Sequence, residues 1–242
     1  MLTGKEALAF LQNEMRAHPS VAFLDGAGMS TPSGIPDFRG QAGISQVARR
    51  YGLSYERLLS VDELMEDPAT FFDFYWNFLV HDKAEPNAAH RAVAHYPGPI
   101  DVITQNIDGL HQKAGSKDAV ELHGSILRNH CLSCRAAYSL EEIPHHGVPR
   151  CPKCGGIVRP DIVLYGEELD YQALCAAEDA LEESEILIVA GTSLRVYPAA
   201  GLIYSSRAKA KILVNAEPTP LDSFFDAFVQ GDVANILPEV LK

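Results

Sequence analysis

Four of the five cysteines fall into two matched pairs, Cys131-Leu-Ser-Cys134 and Cys151-Pro-Lys-Cys154, with 16 residues between the pairs. Two residues between thiolates let one turn present both sulfurs to a single ion, and two such turns supply the tetrahedral set of a zinc ribbon. A four-thiolate shell leaves no position for water or substrate, so the expected metal is one structural zinc held by Cys131, Cys134, Cys151 and Cys154. Gly155 and Gly156 let the backbone bend after the second pair. His130, His145 and His146 lie close by and are expected to be loop residues, since four sulfurs already satisfy the ion. Cys175 stands alone in a helical stretch, where it reads as a small buried apolar residue.

A second kind of chemistry is suggested by the segment Gly26-Ala-Gly28-Met-Ser30-Thr-Pro-Ser33-Gly34-Ile-Pro36-Asp37-Phe38-Arg39-Gly40. Small residues let backbone amides approach a pyrophosphate, Ser30, Thr31 and Ser33 add hydroxyl donors, and Arg39 adds a planar cation. The glycine spacing differs from the usual dinucleotide fingerprint, so the turn alone is compatible with any strand-to-helix connection. Polar runs recur at Thr104-Gln105-Asn106-Ile107-Asp108 and at Glu121-Leu122-His123-Gly124-Ser125. An imidazole in such a run can move a proton near neutral pH, or can be an ordinary hydrogen-bonded histidine.

The elements that must position these residues can be read from the apolar pattern. Short apolar runs at Val21–Leu24, Ile100–Thr104, Ile186–Ala190 and Ile212–Asn215 have the length of buried strands, and helix-like stretches separate them. Alternation of this kind implies an α/β fold with a parallel sheet. Thr3 and Glu6 form a capping-box pattern ahead of a first amphipathic helix. Asp67 and Pro68 start a helix running to about Val80, Asn87 caps another that stops before Pro97, and Tyr171–Glu183 and Pro198–Arg207 supply two more. Polar residues at Gln105–Asp108 directly follow a strand, and in open parallel sheets the carboxyl ends of strands face the ligand crevice. Between Ser125 and Pro160 the alternation gives way to Cys, Pro, Gly and His, so 125–160 reads as an inserted zinc-binding module. Residues 1–124 and 161–242 then form the large domain, with a helical insertion around 41–85.

The 242 residues carry a formal net charge of -12 and are 47% hydrophobic. That balance suits a globular chain and disfavours a phosphate backbone as partner, whereas a basic, lysine-bearing peptide would be attracted. The first residues lack the unbroken apolar stretch of a secretory signal, and the apolar runs are too short to cross a bilayer as helices. The expectation is a cytoplasmic monomer with neither nucleic acid nor membrane as partner.

Taken together, Gly-Ala-Gly-x-Ser with Ser-Gly-Ile-Pro-Asp-Phe-Arg-Gly, the Thr104–His111 string, Glu121–Ser125 and the cysteine pairs closely resemble, in order, the motifs of the sirtuin family of bacterial or archaeal type. Arg159-Pro160, Tyr165-Gly166-Glu167, Gly191–Leu194, Pro198–Gly201 and Asn215-Ala216-Glu217 continue the resemblance over nearly the whole chain. The clearest departure is Asp25, where the family usually carries threonine; its carboxylate either accepts backbone amides away from the ligand or weakens nucleotide binding.

The resemblance implies a Rossmann-like domain holding NAD, a small zinc-bearing domain, and a cleft between them that admits an acylated lysine. It implies an NAD-dependent protein deacetylase in which NAD is consumed, nicotinamide leaves, and the acetyl group passes from lysine to ADP-ribose. By the same resemblance Asn106, Ile107 and Asp108 shape the nicotinamide end, Phe38 covers the reacting ribose, and His123 is the base that deprotonates a ribose hydroxyl. Ala27, Thr31, Arg39, Gln105, Thr192, Ser193 and Asn215 would add cofactor contacts, with Asp232 beside the adenine. Val163–Tyr165 and Arg195–Tyr197, with Val163, Tyr165 and Val196 foremost, would flank the peptide by pairing with it as added strands.

Sirtuins that prefer succinyl or malonyl groups carry Tyr-x-x-Arg in a helix, and the corresponding stretch here is Tyr75-Trp76-Asn77-Phe78. The tyrosine is present, placing Tyr75 at the acyl pocket, but an apolar residue replaces the arginine, so acetyl or longer apolar chains are expected. Two alternatives stay open on sequence grounds: a protein ADP-ribosyltransferase on the same fold, against which His123 argues, and a non-enzymatic zinc-ribbon adaptor. A hydride-transferring dehydrogenase lacks both its glycine fingerprint and a hydride acceptor site.

Overall fold

Strands that are apolar on both faces must be covered on both faces, and that requirement organises the chain. In the computed structural model, which describes residues 1–37 and 49–242, seven parallel strands form one sheet. In chain order they are β1 (Leu2–Thr3), β2 (Val21–Asp25), β3 (Ile100–Thr104), β4 (Val120–Glu121), β8 (Ile186–Ala190), β9 (Ala210–Asn215) and β10 (Ala227–Gln230). Their order across the sheet is β1-β10-β9-β8-β2-β3-β4. The chain leaves β2 toward β3 on one side, and later departs from β8 toward β9 on the other. The adjoining pair β2 and β8 is therefore the point where the winding reverses, which is where open α/β sheets bind ligands.

Helices α1 (Gly4–Met15), α5 (Ala88–Ala94) and α8 (Val233–Val240) cover one face, where Leu11, Phe23, Val93, Ile188 and Leu237 share a core. The other face is covered by α7 (Tyr171–Glu183) and a tight helical turn over Ala199–Ser205, through Leu24, Leu181, Val189 and Ile203. That turn replaces the regular helix expected over Pro198–Arg207. The Thr3–Glu6 capping box does not form either: Thr3 is extended and its side chain makes no cap bond, because the residue pairs with Phe228 as an edge strand.

A second core lies outside the sheet. Helices α2 (Tyr55–Leu58), α3 (Val61–Glu66) and α4 (Pro68–Phe78) pack their apolar faces onto β5 (Gly124–Cys131) and β7 (Val158–Ile162). With β6 (Ala137–Ser139), these strands form an antiparallel three-stranded sheet of order β6-β5-β7. The cysteine pairs sit at one end of it. Apolar residues between 51 and 80 of the helical insertion thus share a core with the module, through Phe71, Tyr75, Ile126, Leu140 and Val158, rather than with the parallel sheet. Trp76 marks the seam: its indole donates to the Gly147 carbonyl at 2.8 Å and its ring stacks on His145 at 5.4 Å. His130 is not a loop residue but part of β5, where it pairs with Asp161. Cys175 is half-buried on α7.

Candidate active site

The glycines after β2 are fixed by packing as much as by any ligand. A Cβ on Gly28 would stand 2.8 Å from the Gly191 backbone, and one on Gly191, whose φ is +58°, would stand 2.4 Å from the Met29 nitrogen. The turns following β2 and β8 therefore interlock, with the Gly28 amide donating to the Gly191 carbonyl at 2.7 Å. Bulkier residues would force apart the two loops that diverge at the switch point.

A cleft of about 1150 Å³ opens over this junction, between the parallel sheet and the second core. Ala27, Thr31, Gln105, Asn106, Ile107, Asp108, His123, Thr192, Ser193, Asn215 and Asp232 all line it, as do Val163, Tyr165 and Val196. One cleft thus gathers the residues singled out from seven separate stretches of sequence. Phe38 and Arg39 lie outside the described residues.

Tyr75 does not line the cleft. It is fully buried in the second core, stacked on Phe71, with burial pushing its phenol pKa up. The spacing locates the helix correctly, but the stripe Phe71, Phe72, Phe74, Tyr75 faces inward, and Phe78 with Leu79 reaches the cleft in its place. Tyr165 meets the cleft with its side chain, while its main chain is already engaged: its amide donates to the Leu59 carbonyl at 2.9 Å and its carbonyl accepts from the Val61 amide at 3.0 Å. A peptide cannot use those two groups as a strand partner. Asp232 accepts from the Ala234 amide at 2.8 Å as the cap of α8, a structural task that the sequence reading left out.

In the lining of the cleft, His123 Nδ1 lies 2.8 Å from the Gln105 carbonyl oxygen. A carbonyl can only accept, so Nδ1 carries the proton and Nε2 presents a lone pair. Burial lowers the pKa of this imidazole, and the bond to Gln105 only partly opposes it, so the net shift is downward and the ring stays neutral to lower pH than usual. Beside it, Asn106 donates to the Gly26 carbonyl at 3.0 Å and to Ser30 Oγ at 3.1 Å, and Ser30 donates to Asp108 at 2.6 Å. Burial raises the Asp108 pKa, with the bonds from Ser30 and the Leu110 amide opposing. Gln105 donates its side-chain amide to Thr192 at 3.2 Å, tying the β3 loop to the β8 loop.

The cysteine cluster fits a metal on its own geometry. All four sulfurs lie within 4.8 Å of one another. The Cys131–Cys154 and Cys134–Cys151 separations are 3.5 and 3.6 Å. A tetrahedron with Zn–S bonds of about 2.3 Å has edges of about 3.8 Å, so the thiolates need move little to close on zinc. Gly156 has no room for a side chain, since a Cβ would stand 2.5 Å from Ser133 Oγ and 3.0 Å from Cys131 Sγ. The Tyr138 hydroxyl lies 3.1 Å from Cys151 Sγ and, as the foremost cause, draws that thiol down to about 6. Behind the module, Arg159 grips Glu167 through both oxygens, at 2.6 and 3.0 Å, and donates to the Ile162 carbonyl at 2.7 Å. This pair fastens the cleft wall at 163–167 to the end of β7.

Comparison with known proteins is consistent with this arrangement. The family model described as Sir2 family matches residues 26–198. An NAD-dependent protein deacetylase of Cutibacterium acnes is 45% identical over 245 aligned positions, covering 100% of this chain and 98% of the relative. A solved Sir2 variant with deacetylated p53 peptide and 3'-O-acetyl ADP-ribose superposes with a TM-score of 0.84 at 36% identity, covering 98% of this chain and 96% of that one. A Sir2 structure with p53 peptide and NAD+ gives 0.80 at 35% identity, with coverages of 98% and 96%. With a matched family model over most of its length and a curated relative of nearly identical extent, the chain belongs to the Sir2 family.

Proposed function

We propose that the protein is an NAD-dependent protein deacetylase, which transfers the acetyl group of an acetyl-lysine to ADP-ribose and releases nicotinamide. NAD is a consumed cosubstrate that supplies the ADP-ribose acceptor, and one zinc held by Cys131, Cys134, Cys151 and Cys154 is structural. The observation that carries this reading is His123 in the cleft lining, with Nδ1 committed to the Gln105 carbonyl and Nε2 left as a base. A neutral imidazole held in one tautomer is the group needed to take a proton from a ribose hydroxyl. Asn106 and Asp108, joined through Ser30, hold the nicotinamide end. Ala27, Thr31, Thr192, Ser193, Asn215 and Asp232 line the remaining cofactor wall, and Phe38 and Arg39, outside the described residues, are further cofactor contacts that the resemblance implies.

The acetyl-lysine enters between Val163, Tyr165 and Val196, with the acyl group toward Leu59, Phe78, Leu79 and Ile107. These side chains offer a carboxylate no cation, which favours acetyl or longer apolar acyl groups. No helix among the described residues is long and apolar enough to cross a membrane, and the reading places the enzyme in the cytoplasm, acting on other proteins.

The test is to incubate an acetylated peptide with wild type and with His123→Ala, with and without NAD, and to follow the peptide by mass spectrometry. Deacetylation by wild type should require NAD, and the substitution should reduce the rate by about 10²–10⁴-fold. Full activity in His123→Ala, or ADP-ribosylated peptide as the main product, would contradict the reading.

A further inference from the structure

Asp25 ends β2 fully buried, between Thr104 of β3 and Ala190 of β8. Its main-chain carbonyl accepts from both the amide and the side chain of Gln105, each at 3.1 Å. Its carboxylate accepts from His111 Nε2 at 3.0 Å, with both side chains almost wholly buried. One residue of the central strand thus grips both ends of the segment 105–111. Between those ends lie Asn106, Ile107 and Asp108, all facing the cleft.

We propose that Asp25 is a positioning residue whose carboxylate, through His111, clamps the segment carrying Asn106 and Asp108 in the geometry that receives the nicotinamide end of NAD. The inference rests on the deacetylase reading above. It also answers which way this carboxylate points, since its partner is His111 and not the cleft. A threonine, the type the family usually carries here, is shorter and uncharged and could not form the same pair.

The surroundings decide the charge state of the pair. His111, at the start of α6 (Leu110–Ala114), faces Asp25 from β2, His90 from α5 and Asp108 from its own loop. Burial alone would depress the His111 pKa, but the charge and hydrogen bond of Asp25, with Asp108 behind it, outweigh burial and raise it. The His90 ring meets it edge-on at 4.9 Å and behaves oppositely: burial, then the His111 charge and that of Arg91, hold it down to about 3. His90 Nδ1 accepts from the Asn87 amide at 3.4 Å, which also suits a neutral ring. Among the described residues Asp25 Oδ1, His111 Nδ1 and His90 Nε2 have no hydrogen-bond partner, so there the Asp25–His111 contact is the polar bond that holds this cluster together.

The charged form of the pair should therefore persist to higher pH than a free imidazole allows and be lost as pH rises through the raised His111 value. Two measurements on the full-length, zinc-loaded protein test it. In ¹⁵N-histidine NMR, ligand-free wild type should show His111 with its proton on Nε2 and titrating above a free histidine, and Asp25→Asn should bring that titration down. In kinetics, Asp25→Asn and Asp25→Thr should raise KM for NAD about tenfold, leave KM for acetyl peptide unchanged, and move the alkaline limb of activity to lower pH. A wild-type His111 that titrates at or below a free histidine, or that carries no proton on Nε2, would overturn the proposal, and that measurement stands even if Asp25→Asn fails to fold. An unchanged KM for NAD and alkaline limb in a folded variant would overturn it as well. Absence of NAD-dependent deacetylation in wild type would instead sink the deacetylase reading, while the NMR result for His111 would still be read directly.

Discussion

At the scale of single residues, the account turns on what each side chain's surroundings do to its proton. His123 is half-buried, and the desolvation this brings holds its pKa below the ordinary imidazole value. Protonation would remove the base, so kcat/KM should fall on the acid side with a midpoint below that of a free histidine; a midpoint above it would show that another group controls the limb. Phe78, Leu79 and Ile107 line the cleft as apolar side chains, and under the proposed reading a succinyl carboxylate placed against them would be left unpaired. Succinylated peptide should react at least about a hundredfold more slowly than acetylated peptide in a side-by-side assay. Much of this was legible in the sequence, because His123, Asn106 and Asp108 stand in contiguous motifs. Tyr75 was misplaced for a simple reason: spacing gives a residue's position along a helix but not which neighbour covers that face. The role of Asp25 was hidden because its partner His111 lies 86 positions away.

At the scale of elements, the interlocking turns after β2 and β8 set the floor of the cleft. Gly191→Ala would combine a left-handed backbone with a Cβ 2.4 Å from the Met29 nitrogen. The expected cost is about 2 kcal/mol or more, seen as a lower denaturation midpoint, together with weaker NAD binding; a variant as stable as wild type would show that the two loops can separate freely. The strands forming this floor were readable because burial on both faces demands continuous apolar runs, as in Ile186–Ala190. The edge strands β1 and β4, and β10 beside β1, were not, being two to four residues long and partly polar. The turn at Ala199–Ser205 was read as a regular helix because a tight turn and an α-helix share nearly the same apolar spacing over so few residues.

At the scale of the molecule, the helical insertion and the zinc-binding module form one body above the sheet. Sequence could not join them, since the fit between α4 and β5 depends on faces that meet only in three dimensions. The chain's one tryptophan, Trp76, reports on the seam through its bond to Gly147 and its stacking on His145. Removing zinc with a chelator should loosen the module, shift Trp76 emission to the red and abolish activity, with both restored by zinc; emission indifferent to the metal would mean the seam does not depend on it. The central claim concerns where the acetyl group goes, and the most direct measurement is a product balance from acetyl peptide and NAD by mass spectrometry. The account predicts one nicotinamide and one acetylated ADP-ribose for each lysine freed. Free acetate as the primary product, or lysine freed without NAD, would contradict it.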